Sequence, residues 1–338
     1  MQALQQHGMK IILSLMPVLL FLTGLFLMDS FKLVRKPLLF LALAWGMMAA
    51  GLAYFFNEFI TNTFQLDYTY FTRYVAPFAE EILKSLLIFV LLSRKKIGFS
   101  VDAAIYGFAS GAGFSLVENV VYMHFLGDEP NIMLWLMRGF GTAVMHGGCT
   151  AILAMWLMGG IQREKNITLT LLTGLLMVFI IHSLFNHFLL NPFLQTLLIF
   201  LVLPVIFTYV FQQSNQRLKD WLEMEFSNEV ELLKMIRQGR LSDTRAGLYL
   251  ASLRDHYEPA MMVDILNYMA LYLDLSIKAK RNLMLKEHDL PLLQEPDTAD
   301  KLLELNTLRR LIGKTGELSL QPLIRMQYRD LWKLNTLI

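Results

Sequence analysis

Apolar residues run almost unbroken through seven stretches of the chain, near residues 11–28, 38–56, 75–92, 101–126, 132–159, 167–190 and 194–211. A helix needs about 20 mostly apolar residues to cross the hydrocarbon of a bilayer. The pattern therefore predicts seven transmembrane helices, the sixth and seventh parted only by Asn191-Pro192. Past about residue 214 the pattern changes. Segments such as EFSNEVELLKMIRQG and EPAMMVDILNYMALYLDL place apolar residues at helical spacing among charges; Gly239 reads as a helix stop, and Pro291 and Pro296 mark loops. The expected fold is all-α: a polytopic membrane domain over 1–213 and a soluble helical domain over 214–338.

Composition agrees with that division. The chain is 55% hydrophobic and 17% charged, with a mean hydropathy of +0.45, too apolar for an ordinary water-soluble globule. Residues 1–213 hold 12 Lys and Arg with 10 Asp and Glu, whereas 214–338 hold 18 of each class. A net charge of +2 gives no reason to expect nucleic acid, and the one cysteine, Cys149, excludes an internal disulfide framework. The first apolar run is preceded only by Lys10 and followed by no small-residue cleavage pattern, so it reads as a retained span rather than a signal peptide.

Basic residues orient the spans, because cytoplasmic loops are enriched in Lys and Arg. Lys32, Arg35 and Lys36 follow the first span; Arg94, Lys95 and Lys96 the third; Arg163 and Lys165 the fifth; Arg217 and Lys219 the seventh. The alternate loops hold Glu58, Asp67, Asp128 and Glu129, with Arg73 as the lone base. That places the N-terminus outside and the C-terminal domain in the cytoplasm of a cell bounded by this inner membrane, with a cytoplasmic protein partner expected for the domain.

Against this background FAEEILK, residues 78–84, is out of place. A charged side chain at the centre of a span costs about 2.5–3.5 kcal/mol, so Glu80, Glu81, Lys84 and Glu118 together would cost on the order of 10 kcal/mol if isolated. Lys84 lies four residues after Glu80 and three after Glu81, within pairing reach of either. Three carboxylates and one ammonium still sum to −2, which a divalent cation would neutralise. His146 and His182 are candidate ligands, with Asn186 one turn after His182. At about 1.5 Å of rise per residue, Glu80 and Glu81 lie roughly 8 Å into the third span, Glu118 and His182 roughly 12 Å into theirs, and His146 deeper, at roughly 20 Å. Two histidines and a carboxylate with an open position form a catalytic zinc set, and a further glutamate supplies the base that hydrolysis needs. No HExxH is present.

These residues fall into three motifs on separate spans: EExxK in FAEEILK, FxxxEN in Phe114–Asn119, and HxxxN in His182–Asn186. In this order they resemble the PrsW family of intramembrane metalloproteases, itself similar to the type II CAAX prenyl endopeptidases. The resemblance covers roughly residues 70–190. It implies a protease making the first cut in a membrane-anchored protein such as an anti-sigma factor, with zinc or another divalent metal, and it carries the essential positions onto Glu80, Glu81, Glu118 and His182, with His146 compatible. Some members resemble HxxxD where this chain has Asn186. On that basis Glu118, His146 and His182 are expected to hold the metal. One of Glu80 and Glu81 is expected to act as base, Lys84 to fix that pair, and Asn186 to hydrogen-bond the developing oxyanion.

Other readings are plainer. The buried acids would also suit a proton-coupled secondary transporter, which predicts repeat symmetry and broken helices. Arg138, near the outer end of its span, would either snorkel to the surface or contact a substrate carbonyl or carboxylate. Ser110, in a Gly-rich segment, would suit a serine nucleophile, but Ala103, Gly107, Gly111 and Ser115 recur every four residues, which reads as close helix packing. Cys149, His124 and His187 read as structural.

Overall fold

A computed structural model describes residues 2–126, 131–293, 295–324 and 326–337, with side chains from residue 8 onward apart from those of Met224 and Asp243. Asp128 and Glu129, used above for orientation, lie outside the described residues. Every regular element is helical, with no strand among the described residues. The chain forms two compact units, Met1–Asn215 and Gln216–Ile338.

All seven expected spans are helices: α1 (Gln2–Leu27), α2 (Lys36–Phe64), α3 (Ala76–Ser93), α4 (Ser100–Phe125), α5 (Ile132–Gln162), α6 (Ile167–Asn186) and α7 (Pro192–Arg237). Six helices among the described residues are long and apolar enough to cross a membrane: α1 from Gly8, α2, α5, α6, α7 and Pro259–Glu287 of the second unit. The two expected spans outside that set, α3 and α4, carry the intramembrane charges.

The third helical segment starts earlier than its apolar run. Asp67 caps it, its Oδ1 accepting from the Tyr70 amide at 2.9 Å, and a π-helical turn at Phe71–Val75 leads into α3. Counted from Tyr68, Glu80 lies roughly 18 Å along the helix rather than 8 Å. That brings it level with His146, roughly 21 Å along α5 from Ile132. The apparent mismatch in depth came from placing the start of the third helix at the hydrophobic edge.

Helix α4 is buried on nearly all faces, and small residues let neighbouring backbones reach it. Gly107 lies against the Thr150 carbonyl and Gly111 against the carbonyl of His146, both on α5. On the other side, Gly46 of α2 meets the Ser110 backbone, and Gly113 meets the Leu43 carbonyl. A Cβ at any of these four would overlap main chain. The four-residue repeat is therefore a packing seam, and one of its contacts is the peptide that carries His146.

The second unit contains α8 (Arg245–Ser252), α9 (Pro259–Glu287), α10 (Thr298–Ser319) and α11 (Tyr328–Leu334). Its core packs Ile265, Tyr268, Tyr272 and Leu273 of α9 against Leu305, Leu308 and Ile312 of α10. Two lysines are buried beside it. Lys280 reaches Glu225 and Glu229 at 3.1 Å each; Lys333 reaches Glu229 at 3.1 Å and Asp330 at 3.2 Å. Both ammonium groups lie over the Trp221 ring, at 4.9 and 5.5 Å.

Candidate metal centre

The rotation of α3 is set from both sides. Trp45 of α2 donates to the Leu83 carbonyl at 3.0 Å, and Ser110 of α4 donates to the Lys84 carbonyl at 2.9 Å. Ser110 is thereby committed to holding a helix. The grip turns Glu81 and Lys84 fully inward, where Lys84 Nζ donates to Glu81 Oε1 at 2.7 Å.

The same Oε1 lies 2.7 Å from His182 Nδ1. A carboxylate can only accept, so Nδ1 carries the ring proton and Nε2 presents a lone pair. Lys84 Nζ also meets His146 Nδ1 at 3.0 Å. An ammonium can only donate, which leaves the His146 ring proton on Nε2, facing Glu118 Oε2 at 2.8 Å. The two imidazoles stand nearly perpendicular, with centroids 4.8 Å apart. Glu80, His146 and His182 each bring a ligand atom within 4.8 Å of the others, and Glu80 Oε2 is 3.8 Å from His182 Nε2.

Sequence reasoning put Glu118 in the ligand set and Glu80 among the bases; the compact set contains Glu80, and Glu118 joins through His146. Glu118 Oε2 is buried against His146 Nε2 at 2.8 Å. Two imidazoles and a carboxylate brought together from three helices, with a further carboxylate beside them, are donor chemistry that suits a divalent cation such as zinc. The residues present fit such an ion. Exposure grades across the cluster: Glu118 is 25% and Glu80 14% exposed, whereas both histidines are 2% and Glu81 1%. Access is from the side of Glu80 and Glu118.

Asn186 is placed differently from expectation. In the π turn the Ala76 amide bonds to the Phe71 carbonyl five residues back. The same spacing would pair the Thr72 carbonyl with the amide of residue 77, which is a proline and has none. Asn186 Nδ2 fills the gap, donating to Thr72 O at 3.0 Å. This side chain therefore ties the end of α6 to the turn before the two glutamates. His187 is likewise structural, its Nε2 3.1 Å from the Tyr74 hydroxyl.

Arg138 does not reach for the surface: Nε donates to Asn119 Oδ1 at 2.9 Å and Nη2 to Glu118 Oε1 at 3.2 Å. It opens a second π-helical turn, Arg138–Thr142. Spacing along a helix does not reveal which way an arginine turns, so the only sequence signal was a second charge of opposite sign near the depth of Glu118.

A family model described as PrsW family intramembrane metalloprotease matches residues 35–211. No curated protein and no solved structure matches the chain.

Proposed function

Because this chain belongs to the PrsW family of intramembrane metalloproteases, we propose that it is a zinc-dependent endopeptidase of a cell's inner membrane, cutting a membrane-anchored protein such as an anti-sigma factor. The observation that carries the reading is the convergence of Glu80, His146 and His182 from three helices. These three would hold the ion, which when bound polarises a scissile carbonyl and lowers the pKa of water to about 7.

The protein's own groups divide the remaining work. Glu81 orients His182 through Nδ1, and Lys84 neutralises Glu81 while bracing His146. Glu81 is sealed at 1% exposure, with Oε1 bonded to Lys84 and His182 and Oε2 buried, so an attacking water from the exposed edge does not reach it. Glu118 is the most exposed of the acids and lies outside the set that would hold the ion, so it takes the proton of the attacking water and returns it to the leaving amine. Asn186 holds the turn before α3. In this reading the domain after residue 214 is cytoplasmic and binds a protein partner.

The test is metal analysis with cleavage assays on purified, bilayer-reconstituted protein. His182→Ala should lose the ion. Glu118→Gln should keep it while cleavage falls by about 10²–10⁴-fold, the usual worth of a general base. Full cleavage by His182→Ala at wild-type metal content would end the proposal.

A further inference from the structure

Arg138 is fixed on three sides. Beyond its bonds to Asn119 and Glu118, its guanidinium carbon lies 3.5 Å from the centroid of the Tyr122 ring. Asn119 is itself anchored, its Nδ2 donating to the Ser14 carbonyl at 2.8 Å. Nε and Nη2 form the side edge of the guanidinium, so the two bonds use that edge and leave the Nη1–Nη2 end edge open. The group is 12% exposed, on the accessible side of the cluster, and only the Glu118 carboxylate separates it from His146 Nε2. Arg138 is thus a permanently charged, planar fork held rigid beside the cluster with donors to spare.

Peptide hydrolysis needs donors where the carbonyl oxygen turns anionic, and donors fixed in advance in a water-poor site contribute most. Asn186, expected in that role, spends one of its two Nδ2–H donors on Thr72. We propose that Arg138 is a catalytic residue that donates from its open edge to the carbonyl oxygen of the scissile peptide bond. The role rests on the metalloprotease reading. In the step it serves, the water oxygen bonds to the carbonyl carbon and a water proton passes to Glu118 Oε2. The carbonyl π pair moves onto the oxygen facing Arg138. The C–N bond then breaks as that pair returns, and the proton passes from Glu118 to the departing nitrogen.

The experiment compares full-length wild type, Arg138→Gln and Arg138→Lys in proteoliposomes, with a quenched-fluorescence synthetic transmembrane peptide as probe and metal per chain measured in parallel. Arg138→Gln should retain its metal, lose about 10²–10³-fold in kcat as other oxyanion donors do when removed, and shift KM by no more than about threefold. Added guanidinium ion should restore part of kcat. Arg138→Lys should recover less than guanidinium does, since a point charge cannot hold Asn119 and also present a fork. The proposal is overturned by an unchanged kcat, by a loss that tracks loss of metal, or by a metal-replete variant that guanidinium does not rescue. Failure of the underlying reading has its own signature: wild type that neither retains metal nor cleaves the probe refutes the protease assignment, and this role with it.

Discussion

Lys84 is the residue on which the cluster's charge balance turns, completely buried between Glu81 and His146. Replacing it with methionine keeps the volume but leaves Glu81 with an uncompensated charge. Breaking a buried pair in this way costs about 3–5 kcal/mol, so Lys84→Met should melt well below wild type in a thermal unfolding assay. Glu81→Gln breaks the same buried pair and also strikes the site. It weakens the acceptor that orients His182, and metal affinity should drop about 10–100-fold in a chelator competition. His146 carries its ring proton on Nε2, so an ion binding there requires that proton to shift to Nδ1 and Lys84 to give up its bond to that nitrogen. Metal affinity should tighten as pH rises, read by chelator competition, because protons compete for the imidazoles. The identities of these residues were legible because charges inside apolar runs stand out. Which glutamate faces the histidines was not, because it depends on helix rotation, and that is set by Trp45 and Ser110 on other helices.

Among the elements, the seam of small residues and the two wide turns matter most. Gly111→Val would push a side chain into the peptide of His146, and overpacking of this kind typically costs about 1–3 kcal/mol. Metal retention should fall together with stability, because the displaced backbone carries a ligand; a variant that loses stability but binds zinc normally would show that the seam and the site are uncoupled. Asn186→Ala should cost about 1–3 kcal/mol by leaving a carbonyl without a donor. It should spare metal binding, checked by the same melts and metal analysis. The seam was visible in advance as a four-residue repeat. The π turns were not: nothing in FTRYV or RGFGT marks a widened turn, and only Pro77 hints that a carbonyl upstream will lack its partner.

At the scale of the whole molecule, composition changes near residue 214, and the chain forms one compact unit to Asn215 and another from Gln216. Composition alone was less reliable for individual helices. Pro259–Glu287 is apolar enough to cross a membrane yet supplies the core of the second unit, while α3, with three charges in 18 residues, and α4, rich in glycine and serine, fall short of that mark. Reporter fusions at residues 62 and 215 should give opposite sides of the membrane, as the basic loops require; the same side for both would remove one span from the count. In the second unit, Lys280→Ala should destabilise by about 3–5 kcal/mol, since Glu225 and Glu229 lose a buried cation. The bond from Asn186 to Thr72 spans 114 positions, and a ribosome takes roughly 6–23 s to cover them at about 5–20 residues per second. Through that interval a newborn chain has its glutamates in the bilayer but no His182 to meet them. It therefore stays unable to cut its neighbours until its sixth helix has entered.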